Sequence, residues 1–519
     1  MRSGFRIGFN PTQQLQRSSK NMLSAHAHPE VVSEQFSKDC KKGYTLGPLH
    51  PADFPQVHTS RIGVIPKKYQ EGKWRLIVDL SAPRGKSVND GIKRELCSLH
   101  YVKVDDIVNQ VLQMGRGTLL AKLDVKSAFR IVPVHPADRH LLGMEWEGQL
   151  YIDNSLPFGL RSAPKIFNAI ADALEWILRQ HGVSNIWHYL DDFLVAGTRS
   201  SGECARYLHT VIRLCQILGI PLAEEKLAGP ATVLAILGIE FDTDRLMLRL
   251  PKEKFQRLKQ MLAEWASKRS CTRKELQSLI GQLQHASTIV KPGRTFLRRM
   301  YDLLSMASLP HHHIRLSGAF KSDLAWWSMF LNAWKGSAMM SPTQTAPPTA
   351  VVTSDASGSW GCGAYCNHQW FQLAWPDEST AKQAITLKEL APIVLAAAVW
   401  GSQWRSSTVL CRTDNAAVVD ILRSRTSKCK ETMHLLRCLH FYEAFLECTI
   451  TAEHLPGEEN DRADDLSRNR LFSFLQKTPE ASRTPTPIPQ PLLELLFTKR
   501  PDWLSREWKA LFKDSLITH

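Results

Sequence analysis

The sequence predicts an α/β and α+β multidomain protein in which a linker joins two modules of catalytic size. At 519 residues the chain is too long for one ordinary hydrophobic core. Short apolar runs fill two regions, and between them Ser341 to Ala350 is rich in Pro and Thr and has no apolar periodicity. In both regions, segments that are predicted to be strands end at an acidic residue. We therefore expect one carboxylate site in each module.

The composition is that of a soluble globular protein with a basic surface. Hydrophobic residues make up 43% of the chain and charged residues 22%. The 65 Lys and Arg exceed the 50 Asp and Glu, which gives a net charge of +15. Such an excess indicates a polyanionic partner, because phosphates attract a basic surface and release counterions on binding. A basic protein with no such partner has the same composition, so charge alone does not decide.

The cysteines and the apolar runs bear on the cellular compartment. The eleven cysteines form no CxxC pairs, and Cys362, Cys366 and His368 are interpreted as alternating strand residues rather than as a zinc site. We expect no signal peptide and no apolar run of bilayer-spanning length. The predictions are an intracellular location, cytoplasmic or nuclear, and no membrane partner.

The first module carries three acidic residues at strand ends. Thr118 to Val125 is predicted to be a strand that delivers Asp124, and Ile186 to Val195 to be two strands around a turn that holds Asp191 and Asp192. Carboxylates are costly in this setting unless they bind divalent cations. Two Mg²⁺ ions would suit phosphoryl transfer. An exposed Asp-Asp turn is the alternative, and it is the better interpretation of the tetrapeptide YLDD alone.

Two neighbouring blocks favour the catalytic interpretation. The motif LPFGLRSAP, Leu156 to Pro164, precedes a predicted helix over Lys165 to Gln180, where apolar residues follow the helical period. Ile65 to Leu80 is predicted to be a hairpin with a basic turn. The basic residues placed to meet phosphates there are Arg75 and one of Lys67 and Lys68.

These blocks, in this order, resemble the polymerase domain of reverse transcriptases from Ser60 to about Leu250. The resemblance implies a right-hand fold of fingers, palm and thumb. It also implies two Mg²⁺ ions per active site, with Mn²⁺ as a substitute, bound by Asp124, Asp191 and Asp192. The residues that it implies for nucleotide binding are Lys68, Arg75, Phe129, Phe158, Gly159 and Lys226.

Two of these roles have alternatives that the sequence leaves open. Phe129 falls at the position of the family's steric gate against a ribose 2′-OH, and an ordinary core Phe is the competing interpretation. Lys226 resembles the lysine near the leaving pyrophosphate, and a surface lysine is an equal alternative. Phe158 stands where retroviral enzymes carry Gln, and the LPFG motif resembles retrotransposon enzymes instead.

Several segments resemble one class of retroelement, the DIRS-type (tyrosine-recombinase) retrotransposons. These segments are SVNDGI, GLRSAPKIFN, YLDDFLVAG, KPGRTFLRRM and DLAWWSMFL. The C-terminal tail, which includes a predicted short helix around Trp503 to Phe512, is a candidate for the truncated start of a recombinase domain.

The second module presents acidic residues in the order strand, helix, strand and helix. They are Asp355 at the end of a strand, Glu389 in the first turn of an apolar helix, Asp414 after a strand, and Asp464 and Asp465 on a short helix. Each has an alternative interpretation by itself: Glu389 as a helix-dipole partner, Asp414 as a helix N-cap, and Asp464 as a solvated charge.

Together these residues resemble the ribonuclease H fold, over about Ala350 to Asn469. The resemblance implies a metal-binding set of Asp355, Glu389, Asp414 and Asp464, which suits hydrolysis by a metal-activated water. Asp464 is chosen over Asp465 because it follows Asn460 by four residues, as in the family. His454 resembles a family histidine that assists proton transfer or product release.

The predicted domains follow from these assignments. They are an N-terminal extension over 1–59, fingers and palm over 60–250, thumb and connection over 251–340, a linker over 341–349, ribonuclease H over 350–470 and a proline-rich tail over 471–519. The predicted function is RNA-directed DNA polymerase and ribonuclease H in retrotransposon replication. Its partners would be an RNA template, a DNA primer, the RNA–DNA hybrid and dNTPs. The sequence does not indicate an oligomeric state.

Overall fold

The chain folds into two compact units. The computed structural model describes residues 3–16, 20–67, 72–340 and 347–498. The first unit ends at Ile236 and also takes in Thr243–Arg245, whereas the second consists of Leu237–Asp242 and the chain from Leu246 onward. Lys68, most of the predicted linker and the predicted helix around Trp503 lie outside the described residues.

The first unit mixes helices with short strands. Its helices are α1 (Leu23–Ala27), α2 (Pro29–Lys41), α3 (Val104–Met114), α4 (Pro136–Arg139), α5 (Ala163–Gln180) and α6 (Glu203–Leu218). Its strands are β1 (Thr45–Leu49), β2 (Ile62–Pro66), β3 (Trp74–Val78), β4 (Leu119–Asp124), β5 (Gly143–Trp146), β6 (Gln149–Asp153), β7 (Ile186–Tyr189), β8 (Asp192–Gly197), β9 (Ala228–Ala231) and β10 (Val233–Ile236).

A four-stranded antiparallel sheet in the order β7-β8-β4-β9 forms the centre of the first unit. Helix α5 was predicted from its apolar period, and the structure buries that face through Phe167, Ala171, Leu174 and Leu178. Pro164 lies in its first turn, where a proline costs no hydrogen bond. The buried side chains of sheet and helix belong to one hydrophobic core.

The region predicted as an N-terminal extension contributes to the cores of the first unit. Ile7 is fully buried in the core of the central sheet. Val32 and Phe36 of α2 pack with Val64 of β2, and the ring of Phe36 stacks on Tyr151 at a centroid distance of 4.0 Å. Residues before position 60 are therefore part of the fold of the first unit.

The second unit also combines helices with short strands. Its helices are α7 (Lys252–Ser267), α8 (Arg273–Ala286), α9 (Arg298–Ser305), α10 (Gly318–Ala333), α11 (Glu378–Ala381), α12 (Ile385–Trp400), α13 (Ala416–Ser424), α14 (Lys430–Phe445), α15 (Asp461–Ser467), α16 (Leu471–Lys477) and α17 (Gln490–Leu493). Its strands are β11 (Ile239–Asp242), β12 (Met247–Arg249), β13 (Ser270–Thr272), β14 (His313–Arg315), β15 (Ser337–Met339), β16 (Ala350–Ala356), β17 (Gly361–Cys366), β18 (Gln369–Ala374), β19 (Thr408–Thr413) and β20 (Thr449–His454).

A five-stranded mixed sheet in the order β18-β17-β16-β19-β20 organises the C-terminal part of the second unit. Strands β16, β17 and β18 pair antiparallel, whereas β19 runs parallel to both β16 and β20. Helix α15 lies close against this sheet because Gly363 has no side chain: a Cβ there would stand 2.4 Å from the Cβ of Leu466. This approach brings the acidic helix to the sheet.

Helix α12 corrects the expectation that no apolar run is long enough to span a membrane. With the turn that follows it, Ile385–Trp404 has the length and composition of a membrane span, and 72% of that window is buried inside the protein. It packs against β16, β17 and α14. Such burial fits a core helix, whose apolar side chains are covered by protein.

Phe36→Ala tests whether the N-terminal region is structural. Removing a fully buried, stacked ring should lower the free energy of unfolding by about 3–5 kcal/mol, because it leaves a cavity. Chemical denaturation of the full chain measures this loss. Leu23→Ala, which alters a side chain that is 87% exposed, is the matched control and should change stability by less than about 0.5 kcal/mol. Equal effects of the two substitutions would contradict the assignment.

Candidate active sites

The first cluster of carboxylates lies where β4 ends beside the start of β8. Asp124 stands directly opposite Asp192 in this antiparallel pair. Asp191 occupies the two-residue turn between β7 and β8, and Leu190 beside it has a left-handed φ of 54°. The backbone N–H of Val125 donates to the carbonyl of Asp191 at 2.9 Å, which fixes the turn against the end of β4. The structure thus brings together the three acids that the sequence predicted.

The charges of this cluster are only partly compensated. Desolvation raises the pKa of Asp192 to about 6, with added repulsion from Asp191 and Asp124. Desolvation also raises the pKa of Asp191. Lys226 opposes this effect, because its Nζ lies 2.8 Å from Oδ2 of the buried Asp124. Lys226 is therefore a surface lysine that also forms an ion pair with the cluster.

Among the predicted nucleotide-binding residues, Arg75 and Phe129 lie next to the ring of Phe158, whereas Lys226 lies at the carboxylate cluster. Phe158 is half exposed, with its centroid 5.3 Å from that of Phe129. The guanidinium of Arg75 lies 6.0 Å from the centroid of Phe158. Phe129 also contacts Phe167 and packs against the core, so its interpretation as a core residue holds at least in part. Gly159 adopts a φ of 94°, which only glycine adopts without strain.

Asn89 was missed as a functional residue, although it lies in the SVNDGI block. Its buried side chain donates to the Ser81 hydroxyl and to the Gly159 carbonyl, each at 2.9 Å. Its Oδ1 accepts a hydrogen bond from the backbone N–H of Arg161 at 2.8 Å. Asn89 therefore fixes the loop that carries Phe158, and only the fold reveals these contacts.

His188 was also missed, and it attaches the Asp-Asp hairpin to α5. Its Nδ1 lies 2.7 Å from Oε2 of Glu175 and its Nε2 3.3 Å from Oδ1 of Asp172. Desolvation would raise the pKa of Glu175, but the hydrogen bonds and charges of His188 and Arg179 outweigh it and lower that pKa. The spacing of acids on α5 is a weak sequence signal for such a contact.

The second cluster of carboxylates lies at the ends of two parallel strands. Thr353 of β16 pairs with Arg412 of β19, two residues before Asp355 and Asp414 respectively. Glu389 of α12 completes a group in which ligand oxygens of all three acids lie within 4.8 Å of one another. Among the described residues this is the one group of three or more His, Cys, Asp and Glu side chains that is close enough to share a metal ion.

Burial and repulsion strongly raise the pKa values of Glu389 and Asp355. Desolvation, with repulsion from Asp355 and Asp414, raises the pKa of Glu389 to about 9. Desolvation likewise raises the pKa of Asp355 to about 6. Oε2 of Glu389 is buried without a hydrogen-bond partner among the described residues. An unpartnered buried oxygen amid close carboxylates fits a divalent cation, which these residues would bind through oxygen ligands.

The remaining predicted residues surround this group. Asp464 contributes repulsion to the raised pKa of Asp355, so it lies near the group, and it forms ion pairs with Arg468 and Arg470. Asp465 is instead buried against Lys477, with a 2.7 Å contact. Nε2 of His454, which is exposed, lies 3.0 Å from the carbonyl oxygen of Asp414.

Two alternatives for single acids are wrong. The N-cap of α13 is Asn415, whose side chain accepts from the N–H of Val418, so Asp414 is not the cap. Helix α12 begins at Ile385, which places Glu389 beyond the first turn, where its carboxylate is buried inside the unit. Glu389 is thus no helix-dipole partner, and its burial has another cause.

Comparisons with known proteins agree with this geometry. Residues 65–241 match the family described as "Reverse transcriptase (RNA-dependent DNA polymerase)". The chain is 22% identical over 465 residues to the enzymatic polyprotein of Cestrum yellow leaf curling virus, covering 84% of this chain and 66% of that protein. It is 21% identical over 430 residues to polyprotein P3 of Commelina yellow mottle virus, covering 80% of this chain and 21% of that protein. The chain thus spans about two thirds and one fifth of these two relatives.

Solved structures show the same fold. The foamy viral protease-reverse transcriptase in complex with RNA/DNA hybrid superposes with a TM-score of 0.51 at 17% identity, covering 86% of this chain and 56% of that one. The same enzyme in complex with double-stranded DNA gives a TM-score of 0.50 and covers 87% of each chain. The mixed α/β multidomain fold is therefore confirmed, and it is consistent with a polymerase followed by a ribonuclease H-like domain.

Glu389→Gln should stabilise the metal-free protein increasingly as the pH rises. The folded-state pKa of Glu389, about 9, lies above the ordinary value of 4.5, so the folded state holds a proton that the unfolded state releases. Between these values the wild-type free energy of unfolding should fall with pH by at most about 1.4 kcal/mol per unit. Gln, which does not ionise, removes this loss.

Denaturation in EDTA at pH 6 and pH 8 measures the difference. The wild type should lose stability between the two values relative to Glu389→Gln. The exposed Glu447→Gln is the control and should follow the wild type. A pH-independent difference between wild type and Glu389→Gln would contradict the raised pKa.

Proposed function

From the reverse transcriptase domain over residues 65–241, we propose that this chain is an RNA-directed DNA polymerase that also degrades the RNA strand of RNA–DNA hybrids. We propose that both reactions follow two-metal chemistry and serve the replication of a retrotransposon. The observation that carries the polymerase is the meeting of Asp124, Asp191 and Asp192 at one strand end within the matched domain. The observation that carries the nuclease is the buried group of Asp355, Glu389 and Asp414.

In the polymerase site, each residue has a role that its position supports. Asp124, Asp191 and Asp192 would bind Mg²⁺, and Mn²⁺ as a substitute. Lys226 carries positive charge at the cluster and Arg75 carries it beside Phe158, and both would bind the triphosphate of the incoming dNTP. Lys68 is proposed for the same task on sequence grounds alone.

The aromatic residues would select the sugar. Phe129 and Phe158 contact each other and would form one aromatic surface. Phe167 packs against Phe129, and Asn89 holds the loop of Phe158 through a hydrogen bond to the Gly159 carbonyl. A ring at Phe129 would exclude a ribose 2′-OH by steric contact. Gly159, with no side chain, leaves room for the nucleotide beside Phe158.

In the nuclease site, Asp355, Glu389, Asp414 and Asp464 would hold the metal ions. Bound Mg²⁺ supplies activation of a water and neutralisation of charge on the phosphate. Glu389 must lose its proton to serve as a ligand, and its unpartnered Oε2 is free for that contact. His454 is exposed at the rim of the site, with Nε2 at hydrogen-bond distance from the Asp414 carbonyl oxygen. It would move a proton or assist product release.

The partners follow from the proposed activities. We propose an RNA template, a DNA primer, dNTPs and the RNA–DNA hybrid, in keeping with the net charge of +15. The eleven free cysteines favour a reducing compartment, so an intracellular location, cytoplasmic or nuclear, is proposed.

The DIRS-type assignment remains a proposal that rests on the five sequence segments named above. Viral and transposon polyproteins, among them that of transposon 412 of Drosophila melanogaster at 25% identity, support a retroelement origin. A tyrosine-recombinase domain encoded in the same element would support the finer assignment, and an element with a retroviral-type integrase would contradict it.

The two activities should fail independently. Asp191→Asn should abolish primer extension on an RNA template and leave cleavage of a labelled hybrid, whereas Glu389→Gln should do the reverse. Each substitution removes one carboxylate ligand while nearly keeping its shape. Both assays are run on the full chain with Mg²⁺ and repeated in EDTA, which should stop both reactions.

Asp244→Asn is the matched control, because Asp244 is an exposed aspartate of the first unit that pairs with Arg199 on the surface. It should leave both activities unchanged. If the wild-type chain neither extends nor cleaves, the catalytic proposal is wrong, and a nucleic-acid-binding protein without catalysis becomes the better interpretation.

Phe129→Val should allow ribonucleotides to be incorporated. Shortening the ring opens space beside Phe158 for a 2′-OH, so the ratio of kcat/KM for dNTP over rNTP should fall by at least about tenfold, or about 1.4 kcal/mol. Single-nucleotide extension with each substrate measures this ratio. A proportional loss for both nucleotides would show that Phe129 is only a core residue.

A further inference from the structure

Arg468 lies at the rim of the second carboxylate group. It has no role in the mechanism proposed above. Arg468 follows α15 directly, and its Nε donates to Oδ1 of Asp464, four residues earlier. The side chain of Arg468 is 51% exposed. Its two terminal amino groups, Nη1 and Nη2, make no hydrogen bond to the described residues. The guanidinium is thus oriented through one nitrogen and open to solvent through the other two.

Its surroundings place this guanidinium beside the metal-binding group. Desolvation raises the pKa of Asp355, and the charge of Arg468 opposes that rise. The hydrogen bond to Asp464 raises the pKa of Arg468, and the charges of Asp355 and Asp414 add smaller contributions. Arg470 adds a second positive charge, with Nη1 3.6 Å from Oδ2 of Asp464 and a side chain that is 57% exposed.

We propose that Arg468, held in place by Asp464, binds a backbone phosphate of the nucleic-acid strand that lies in the nuclease site, with Arg470 as a supporting charge. This inference rests on the proposed nuclease function for the identity of the strand. The two terminal amino groups of a planar guanidinium match the two non-bridging oxygens of a phosphodiester.

The negative charge of the carboxylate group explains what a contact between Arg468 and a phosphate would do. A phosphodiester that approaches several carboxylates is repelled until the negative charge is compensated. Metal ions supply part of that compensation, and a fixed arginine supplies another part that does not depend on the metal.

The test measures binding of a labelled RNA–DNA hybrid to the full chain in EDTA, by fluorescence anisotropy over a series of KCl concentrations. Arg468→Gln should weaken binding about tenfold and reduce the slope of log affinity against log [KCl] by about one. Arg468→Lys should keep the slope and lose several-fold in affinity, because one ammonium replaces the fork. Arg462→Gln removes the same charge from the exposed face of the same helix and should leave the slope unchanged.

A second arm locates the contact. Hybrids that carry one neutral methylphosphonate linkage, moved along each strand in turn, should show one position where the wild type loses affinity and Arg468→Gln loses no more. Thermal denaturation of each variant verifies that α15 remains folded. If Arg468→Gln matches Arg462→Gln in slope and keeps the wild-type methylphosphonate profile, the phosphate contact is overturned.

Cleavage with Mg²⁺ separates this inference from the function on which it rests. If the wild type binds hybrid but does not cleave it, the proposed nuclease fails, while the slope and the methylphosphonate profile still decide the role of Arg468. If the wild type cleaves, Arg468→Gln should raise KM more than it lowers kcat. A loss confined to kcat, with unchanged binding, would assign Arg468 to the orientation of Asp464 alone.

Discussion

Repulsion between carboxylates held at neighbouring strand ends is the constraint on which this protein depends. In the second unit, oxygens of Asp355, Glu389 and Asp414 lie within 4.8 Å of one another. Unit charges at such a distance repel by several kcal/mol at a protein-like dielectric, and burial adds a desolvation cost. The raised pKa of Glu389, about 9, expresses both effects. Only a rigid scaffold keeps these groups together without a cation.

The scaffold consists of hydrogen-bonded strands, and each unit uses a different pairing. In the first unit, antiparallel β4 and β8 place Asp124 opposite Asp192, and the turn adds Asp191. In the second unit, parallel β16 and β19 deliver Asp355 and Asp414 to one edge, and α12 adds Glu389 from the buried face. In both units a hydrogen-bonded strand pair therefore holds two acids beside each other, through the antiparallel register in the first unit and through the shared carboxyl edge of parallel strands in the second.

In each unit a basic side chain donates a hydrogen bond to one acid at the site. Lys226 binds Asp124 in the first unit, and Arg468 binds Asp464 in the second. Both basic side chains are more than half exposed, so they compensate charge from the solvent side, where a phosphate or a triphosphate would arrive. Glu389, whose buried Oε2 has no hydrogen-bond partner among the described residues, is the acid that most needs a metal ion.

The sequence by itself determined much of this. Apolar strands that end in acids, the period of α5 and the order of acids in the second module predicted the elements, because local hydrophobic pattern and strand-end position are properties of the chain. The N-terminal region was harder to interpret, since Ile7, Val32 and Phe36 are scattered among polar residues and find their partners far along the chain.

Only the tertiary structure decided which neighbours each acid has. It gives Asp464 and Asp465 different partners: Asp465 forms an ion pair with Lys477, and Asp464 forms one with Arg468. It also revealed Asn89, His188 and Arg468, whose partners lie at other points of the chain or depend on an exposed geometry. The physical reason is that a charge or a hydrogen bond acts through distance in space, and the folded backbone alone sets that distance.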